Sequence, residues 1–415
     1  MQKPFEREGF PARVGPVPFL GLALFSQTGM SFVQQGLVIM GSFFLTVYGL
    51  NLAELGLVTT ALSLGVVVSM VFAGALVDRL GPRVVLFWGA ALMAGLSLLL
   101  LTARSFPVLL VTLFLVGIAL AIVPSAGTKA VFTAFANRPR GLVMGIRQTG
   151  VPIGAAISAS LLPGLAAHWG LHPIYGLFSV ELLIAGWAFS AVMQPWHVTE
   201  RSANRTRLTR GVWKRLLRPL MVAFLMVSGQ YILLTYSIAD LHRIHHLSFS
   251  MAGVILAASQ IGGGIGRVLL GQMSDWVGGR RPPIIASAAL MGATLAFVAG
   301  LLPGNAPISV LLLVWTLFGF SAVGWNALVL TWAAESVPPS HSGFAMGLTG
   351  STVFLGSSIF PPIFGVVVDT SHHMAAGWWM LSGILLVAAA LAWYSSLSKR
   401  QFLQLDDDSN RDADV

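Results

Sequence analysis

The chain has 415 residues, 56% of them hydrophobic and only 9% charged, with a mean hydropathy of +0.81. A soluble globular domain carries roughly 25% charged residues, so this chain has too little polar surface to cover a water-soluble fold of its length. It has no cysteine, which excludes disulfides, thiol catalysis and thiolate metal sites; its net charge of +9 has to be judged by where the charges lie.

In chain order, a charged stretch before residue 17 leads into a long, polar-interrupted span. No short apolar core or small-residue cleavage site follows it, so it reads as a retained tail and not a cleaved signal. Apolar runs near 17–46, 53–76, 83–103, 107–134, 142–165 and 173–194 predict six crossings, at about 20 residues each. Six more lie near 219–240, 250–273, 283–302, 308–334, 343–367 and 377–397. Turn chemistry marks the joints, as in "RLGPR", "ANRPRG", "GGRRPP" and "PGNAP". The fold class is therefore all-α integral membrane, with 12 transmembrane helices in two pseudo-symmetric six-helix bundles, 1–195 and 219–398. A basic linker, 196–218, joins them, and an acidic tail, 399–415, reads as disordered.

Basic residues set the orientation. With the N-terminus inside, the cytoplasmic tails and loops hold 19 of the 24 Lys and Arg, and the external loops hold Arg104 and Arg243. The expectation is N-in/C-in, a multi-pass protein of the cell inner membrane. The basic run "ERSANRTRLTRGVWKRLLRP" then faces lipid head groups, and nucleic acid is not an expected partner.

The halves echo each other. "GALVDRLGPR" from Gly74 precedes "GQMSDWVGGR" from Gly271 by 197 residues, and "GLVMG" at 141–145 precedes "GFAMG" at 343–347 by 202. A parallel repeat of six spans across a charged loop is a transporter architecture with its site between the halves. Gly74, Asp78, Arg79, Gly81 and Arg83, with the copy Gly271, Asp275 and Arg280, resemble the loop signature of the major facilitator superfamily, and the likeness covers essentially the whole chain. The resemblance implies a monomeric transporter without cofactor. It also implies that Asp78 latches against the start of span eleven, near Gly343, when the cytoplasmic side is shut.

Three cations, Lys129, Arg147 and Arg267, fall inside spans, where a charge costs at least a few kcal/mol. Arg147 lies six residues past Gly141 and Arg267 eight before Asp275, so they sit at similar depths of about 9 and 12 Å. The matching residues in the other half are Thr349 and Met70, so the fold itself asks for neither arginine. No acid is level with them, and an anion is the natural counter-charge. Polar residues at helical spacing add Gln34, Tyr231, Gln260, Trp325 and Asn326 as candidate substrate contacts.

"Gly266-Arg267-x-x-x-Gly271-x-x-Ser274-Asp275" resembles span eight of monocarboxylate and oxalate-type porters, which implies a carboxylate ligand for Arg267. Those proton-linked porters can carry an acid four positions earlier, where this chain has Gly263. Protons remain the expected coupling ion, with Glu181 and Asp240 as candidate carriers. The alternatives are an amphipathic-compound exporter, given "GVPIG" at 150–154, and a non-transporting receptor of the same fold. The external histidines, 242, 245, 246, 372 and 373, read as solvated turn residues, and an enzyme is not expected. Gly150, Gly154, Gly262, Gly263, Gly264 and Gly266 are expected to form the seam on which the halves rock.

Overall fold

The computed structural model describes residues 12–135, 140–194, 210–337 and 341–411. Of the expected basic linker 196–218, residues 196–209 lie outside them, while 210–218 are not a loop but form the start of a helix, Arg210–Arg243. Twelve helices in the described chain are long and apolar enough to cross a membrane, and no strand interrupts them. The first bundle is α1 (Pro16–Ile39) with α2 (Gly41–Tyr48), α3 (Leu52–Leu80), α4 (Pro82–Leu99), α5 (Phe106–Ala134), α6 (Arg140–Gln148) with α7 (Gly150–Trp169), and α8 (His172–Ala191). The second is α9 (Arg210–Arg243), α10 (Phe249–Trp276), α11 (Arg281–Leu301), α12 (Ile308–Gly324) with α13 (Asn326–Glu335), α14 (Ser342–Ser371) and α15 (Met374–Arg411). Spans one, five and ten are thus each built of two helices, broken at Met40, Thr149 and Trp325. The helix of α15 runs to Arg411, through much of the tail expected to lack structure. The good helix formers Gln401, Leu403, Gln404 and Leu405 favour that continuation.

Helix ends follow from local chemistry. At the start of α3, Asn51 accepts from the Glu54 N–H at 2.8 Å, and Glu54 accepts from the Asn51 N–H at 2.9 Å, a reciprocal cap. At its other end Gly81 takes φ +80°, a conformation few L side chains adopt, and Pro82 opens α4. That turn follows the second span and its repeat at Gly278 and Gly279 follows the eighth, so an even number of crossings puts both on one face of the molecule, the basic face.

The two bundles meet along α3 with α14 and along α7 with α10. Away from the basic face this seam is sealed by hydrogen bonds. Thr59 meets Thr235 at 3.0 Å, Ser357 donates to Ser63 at 2.8 Å, and Thr60 donates to the Ser358 carbonyl at 2.6 Å. The Tyr236 hydroxyl sits between the carbonyls of Leu52 (2.8 Å) and Pro361 (2.6 Å), donating to one at a time. Asp369, at the end of α14, accepts from the Leu52 and Ala53 N–H groups at 3.2 and 2.8 Å. Together with Asn51 it meets all three leading donors of α3, a favourable place for a carboxylate.

The expected glycine seam needs correction. Gly150 and Gly154 face Thr28 and Phe32 of α1, inside the first bundle. Gly262, Gly263 and Gly266 face Thr316, Val323 and Phe320 inside the second, and of the six only Gly264 looks across, at Pro152. Small residues let any two helices approach, so their presence did not reveal which pair. Gly154→Leu would drive its side chain into the α1 backbone, 2.7 Å from the Phe32 nitrogen at Cβ already. It is expected to abolish recovery of monodisperse protein from detergent. Gly264→Leu has 3.5 Å to Pro152 and is expected to yield folded protein; equal recovery of the two would contradict this packing.

Candidate functional site

Between the bundles lies a cavity of about 1810 Å³, reaching the basic face where Asp78 and Arg79 line it. Its walls come from α1, α3, α5, α6 and α7 on one side and α9, α10, α13 and α14 on the other. Most lining side chains are apolar, among them Val66, Met70, Leu120, Ile157, Ile265 and Phe354. Arg147, Arg267, Lys129, Gln34, Tyr231, Gln260 and Asn326 line it as expected. So do Gly74, Asp78 and Arg79 of the loop signature.

Trp325 does not. It is fully buried at the α12–α13 break and donates to the Ala322 carbonyl at 2.7 Å. Adjacent residues on a helix point about 100° apart, and Asn326 takes the cavity direction. Three serines at helical spacing from these candidates, Ser31, Ser228 and Ser321, bond to the carbonyls of Val151, Leu225 and Phe318.

The three intramembrane cations are not equivalent. Lys129, expected to hold substrate, forms an ion pair with Asp78, because α5 packs against α3 and brings the two to one level. Arg147 is 3% exposed and is braced on α5, where Gly127 leaves room for its guanidinium. It donates to the Thr128 hydroxyl at 3.0 Å and the Pro124 carbonyl at 3.3 Å, while its Nε has no partner. Arg267 makes one long bond, Nε to the Val323 carbonyl at 3.4 Å. Its two terminal nitrogens meet no acceptor among the described residues. Nor does any carboxylate of those residues lie within 4 Å of either arginine. Asp78 is the one acid among the lining residues, and Lys129 meets it. The deeper cavity is electropositive.

The second copy of the loop signature is held by an arginine just outside it. The arginine that reaches Asp275 is Arg281, at 2.6 Å, which also contacts Ser274 at 2.9 Å and Glu335 at 3.4 Å. Arg280 is exposed and serves as the cap residue of α11. The positive φ of Gly278 and Gly279 turns the chain so that the first helical residue, not the one before it, faces back.

Glu181 and Asp240 lie outside the cavity lining. The Glu181 carboxyl packs against Gly29 of α1, with Oε2 buried and unpartnered. Asp240 is 2% exposed and accepts from the Trp378 indole at 3.1 Å, with His245 Nε2 3.8 Å away. His245 is thus not a solvated turn residue: the 244–248 loop folds back, Leu247 N–H to the Leu241 carbonyl at 3.1 Å, and covers it. Burial lowers its pKa.

The pattern of i, i+3 and i+4 spacing missed Gln35, Gln230, Gln148 and Thr149, which also line the cavity. Gln35 and Gln230 sit next to residues that were found, and a wide cavity wall spans more than one stripe.

Two bundles, a repeated loop signature and a cavity opening between them, with cations and amides set in largely apolar walls, define a transporter fold. Residues 20–361 match the family model of the Major Facilitator Superfamily, and the chain belongs to that family. It is 33% identical to an uncharacterized MFS-type transporter of Mycobacterium tuberculosis, covering 82% of this chain and 76% of that one. It is 24% identical to a probable L-galactonate transporter of Escherichia coli (83% and 81%) and 23% identical to multidrug resistance protein 2 of Bacillus subtilis (88% and 93%). In structure it resembles a bacterial homologue of the human lysosomal transporter Spinster, inward-facing and unoccupied. That likeness has TM-score 0.77 at 14% identity and covers 94% and 99% of the two chains.

Proposed function

We propose that the chain is a secondary transporter that carries a small organic anion, a carboxylate in class, by alternating access with protons as the coupling ion. The observation that supports this most is Arg267: a guanidinium on a cavity wall, its two terminal nitrogens unmet by any acceptor among the described residues. A carboxylate fills such a fork with two parallel charge-assisted bonds. Arg147 adds positive charge at similar depth. The relative named for L-galactonate supports the same reading. With 19 of 24 basic residues in the tails and loops of the basic face, that face is cytoplasmic, and the cavity described is open inward. Asp78, paired here with Lys129, would exchange partners for the start of α14 when the cavity closes. Glu181 and Asp240 could couple protons only through helix packing, since neither reaches the cavity.

A second reading, export of amphipathic compounds, has support in the apolar walls and in the relative named for multidrug resistance. A thermal-shift screen of purified protein against mono- and dicarboxylates, nitrate, phosphate esters and cationic dyes separates the two. A ligand at 100 times its Kd stabilises by about 2.7 kcal/mol. Carboxylates are expected to stabilise; stabilisation by dyes alone would overturn the anion reading. Orientation has its own check: a tag at Ser202 should be reached only from the cytoplasm and one at Asn305 only from outside. The reverse would overturn both the orientation and the inward-open assignment.

A further inference from the structure

The deep half of the cavity is lined by amides. Gln34 and Gln35 of α1, Gln230 of α9 and Gln260 of α10 all line it, with the Tyr231 hydroxyl beside them. Gln260 lies seven residues beyond Arg267 on the same helix, about 10 Å further from the basic face. Gln230 lies just below Thr235, which closes the seal with Thr59. Gln27 sits lower, beside Gly150, and so within a turn of Arg147. A single small molecule can therefore reach a guanidinium at one end and amides at the other.

Three of these glutamines are unfinished. Gln27, Gln35 and Gln230 are 8%, 3% and 5% exposed, and each has a side-chain carbonyl oxygen buried with no hydrogen-bond donor. An acceptor held away from water and unmet is destabilising, and apolar residues such as Val66 and Val353 fill neighbouring wall positions without that cost. A primary amide offers an acceptor and two donors in one plane, the complement of two neighbouring hydroxyls: one donates to the carbonyl and the other accepts from the amino group. An unsubstituted alkyl chain would leave those amides unmet, which is how polar sites reject ligands that lack the matching group.

We propose that the substrate is a polyhydroxylated carboxylate, a sugar acid in class. Its carboxylate lies at Arg267 and Arg147, and its hydroxyls lie on Gln35, Gln230 and Gln260. This rests on the anion reading above and adds what the rest of the ligand is.

The test compares three ligands on purified full-length protein. Gluconate has both groups, hexanoate keeps the chain and carboxylate without hydroxyls, and glucitol keeps the hydroxyls without the carboxylate. Gluconate is expected to bind roughly tenfold or more tighter than either, one hydrogen-bond group's worth or more. Gln35→Leu and Gln230→Leu are expected to shrink the gluconate-over-hexanoate preference about tenfold, with Gln→Met at each position as the near-isosteric control for folding. Hexanoate equal to gluconate would overturn the hydroxyl assignment and leave the anion reading standing. Glucitol equal to gluconate, with Arg267→Gln unaffected, would overturn the anion reading and the proposal with it. A preference unchanged in both glutamine variants, or no binding by any of the three, would also overturn the proposal.

Discussion

Replacing Arg267 by glutamine is expected to raise the Kd for the preferred carboxylate tenfold to a hundredfold without loss of folded protein. Each charge-assisted hydrogen bond contributes about 1.5–3 kcal/mol, and 1.4 kcal/mol is a factor of ten. Folding should survive because the terminal nitrogens of Arg267 hold nothing in the described protein. Arg267→Lys should restore binding only partly, since an ammonium lacks the planar fork. Arg147→Thr, which places there the residue of the matching position, Thr349, should weaken binding less. Two of its donors are already engaged by Thr128 and the Pro124 carbonyl. Its loss should also lower the melting temperature by a few degrees, as α6 loses its brace on α5. Titrations of a monocarboxylate and a dicarboxylate against both variants separate a shared clamp from two separate subsites. If Arg147→Thr binds every anion normally, Arg147 is a brace alone.

Asp369→Ala is expected to move the protein away from the state in which the cavity opens at the basic face. The carboxylate joins α14 of one bundle to the first turn of α3 in the other, on the sealed side. Losing two charge-assisted bonds of about 1.5–3 kcal/mol each would shift the balance of the two orientations by roughly a hundredfold or more. The alternative orientation, open on the far side, has no use for the contact and should gain population. Because the chain has no cysteine, a single Ser125→Cys on the cavity wall reports the state cleanly. Its labelling by an impermeant maleimide from the cytoplasmic side should slow in the Asp369→Ala background and recover partly in Asp369→Asn, which can still accept from one N–H. Equal labelling rates in all three would show that the contact does not hold the seal.

Most of the fold was legible because a membrane leaves few choices. Length, hydropathy and turn residues predicted twelve crossings, since backbone polar groups in lipid must be met within a helix. The repeat of Gly74, Asp78 and Gly81 at Gly271, Asp275 and Gly278 gave the two bundles. The site was legible in part, and for the same reason: Arg147 and Arg267 stood out because charge is rare and costly there, and both line the cavity. What escaped was pairing. Nothing in the spacing showed that Lys129 would meet Asp78, that Arg281 would meet Asp275, or that Gly154 would pack on α1. Those contacts depend on helix rotation and on turns of a few degrees, which a one-dimensional pattern does not carry. Trp325 failed on the same ground, because a helix break at that residue reset the register of the face.

The central claim is that the two arginines hold an anion in the cavity. Isothermal titration of the purified wild type and the Arg147→Thr/Arg267→Gln double variant, with the carboxylate that stabilises the wild type most, tests it directly. Saturable heat in the wild type and none in a double variant that is still folded is the predicted result. A double variant that binds the carboxylate as tightly as the wild type would contradict it.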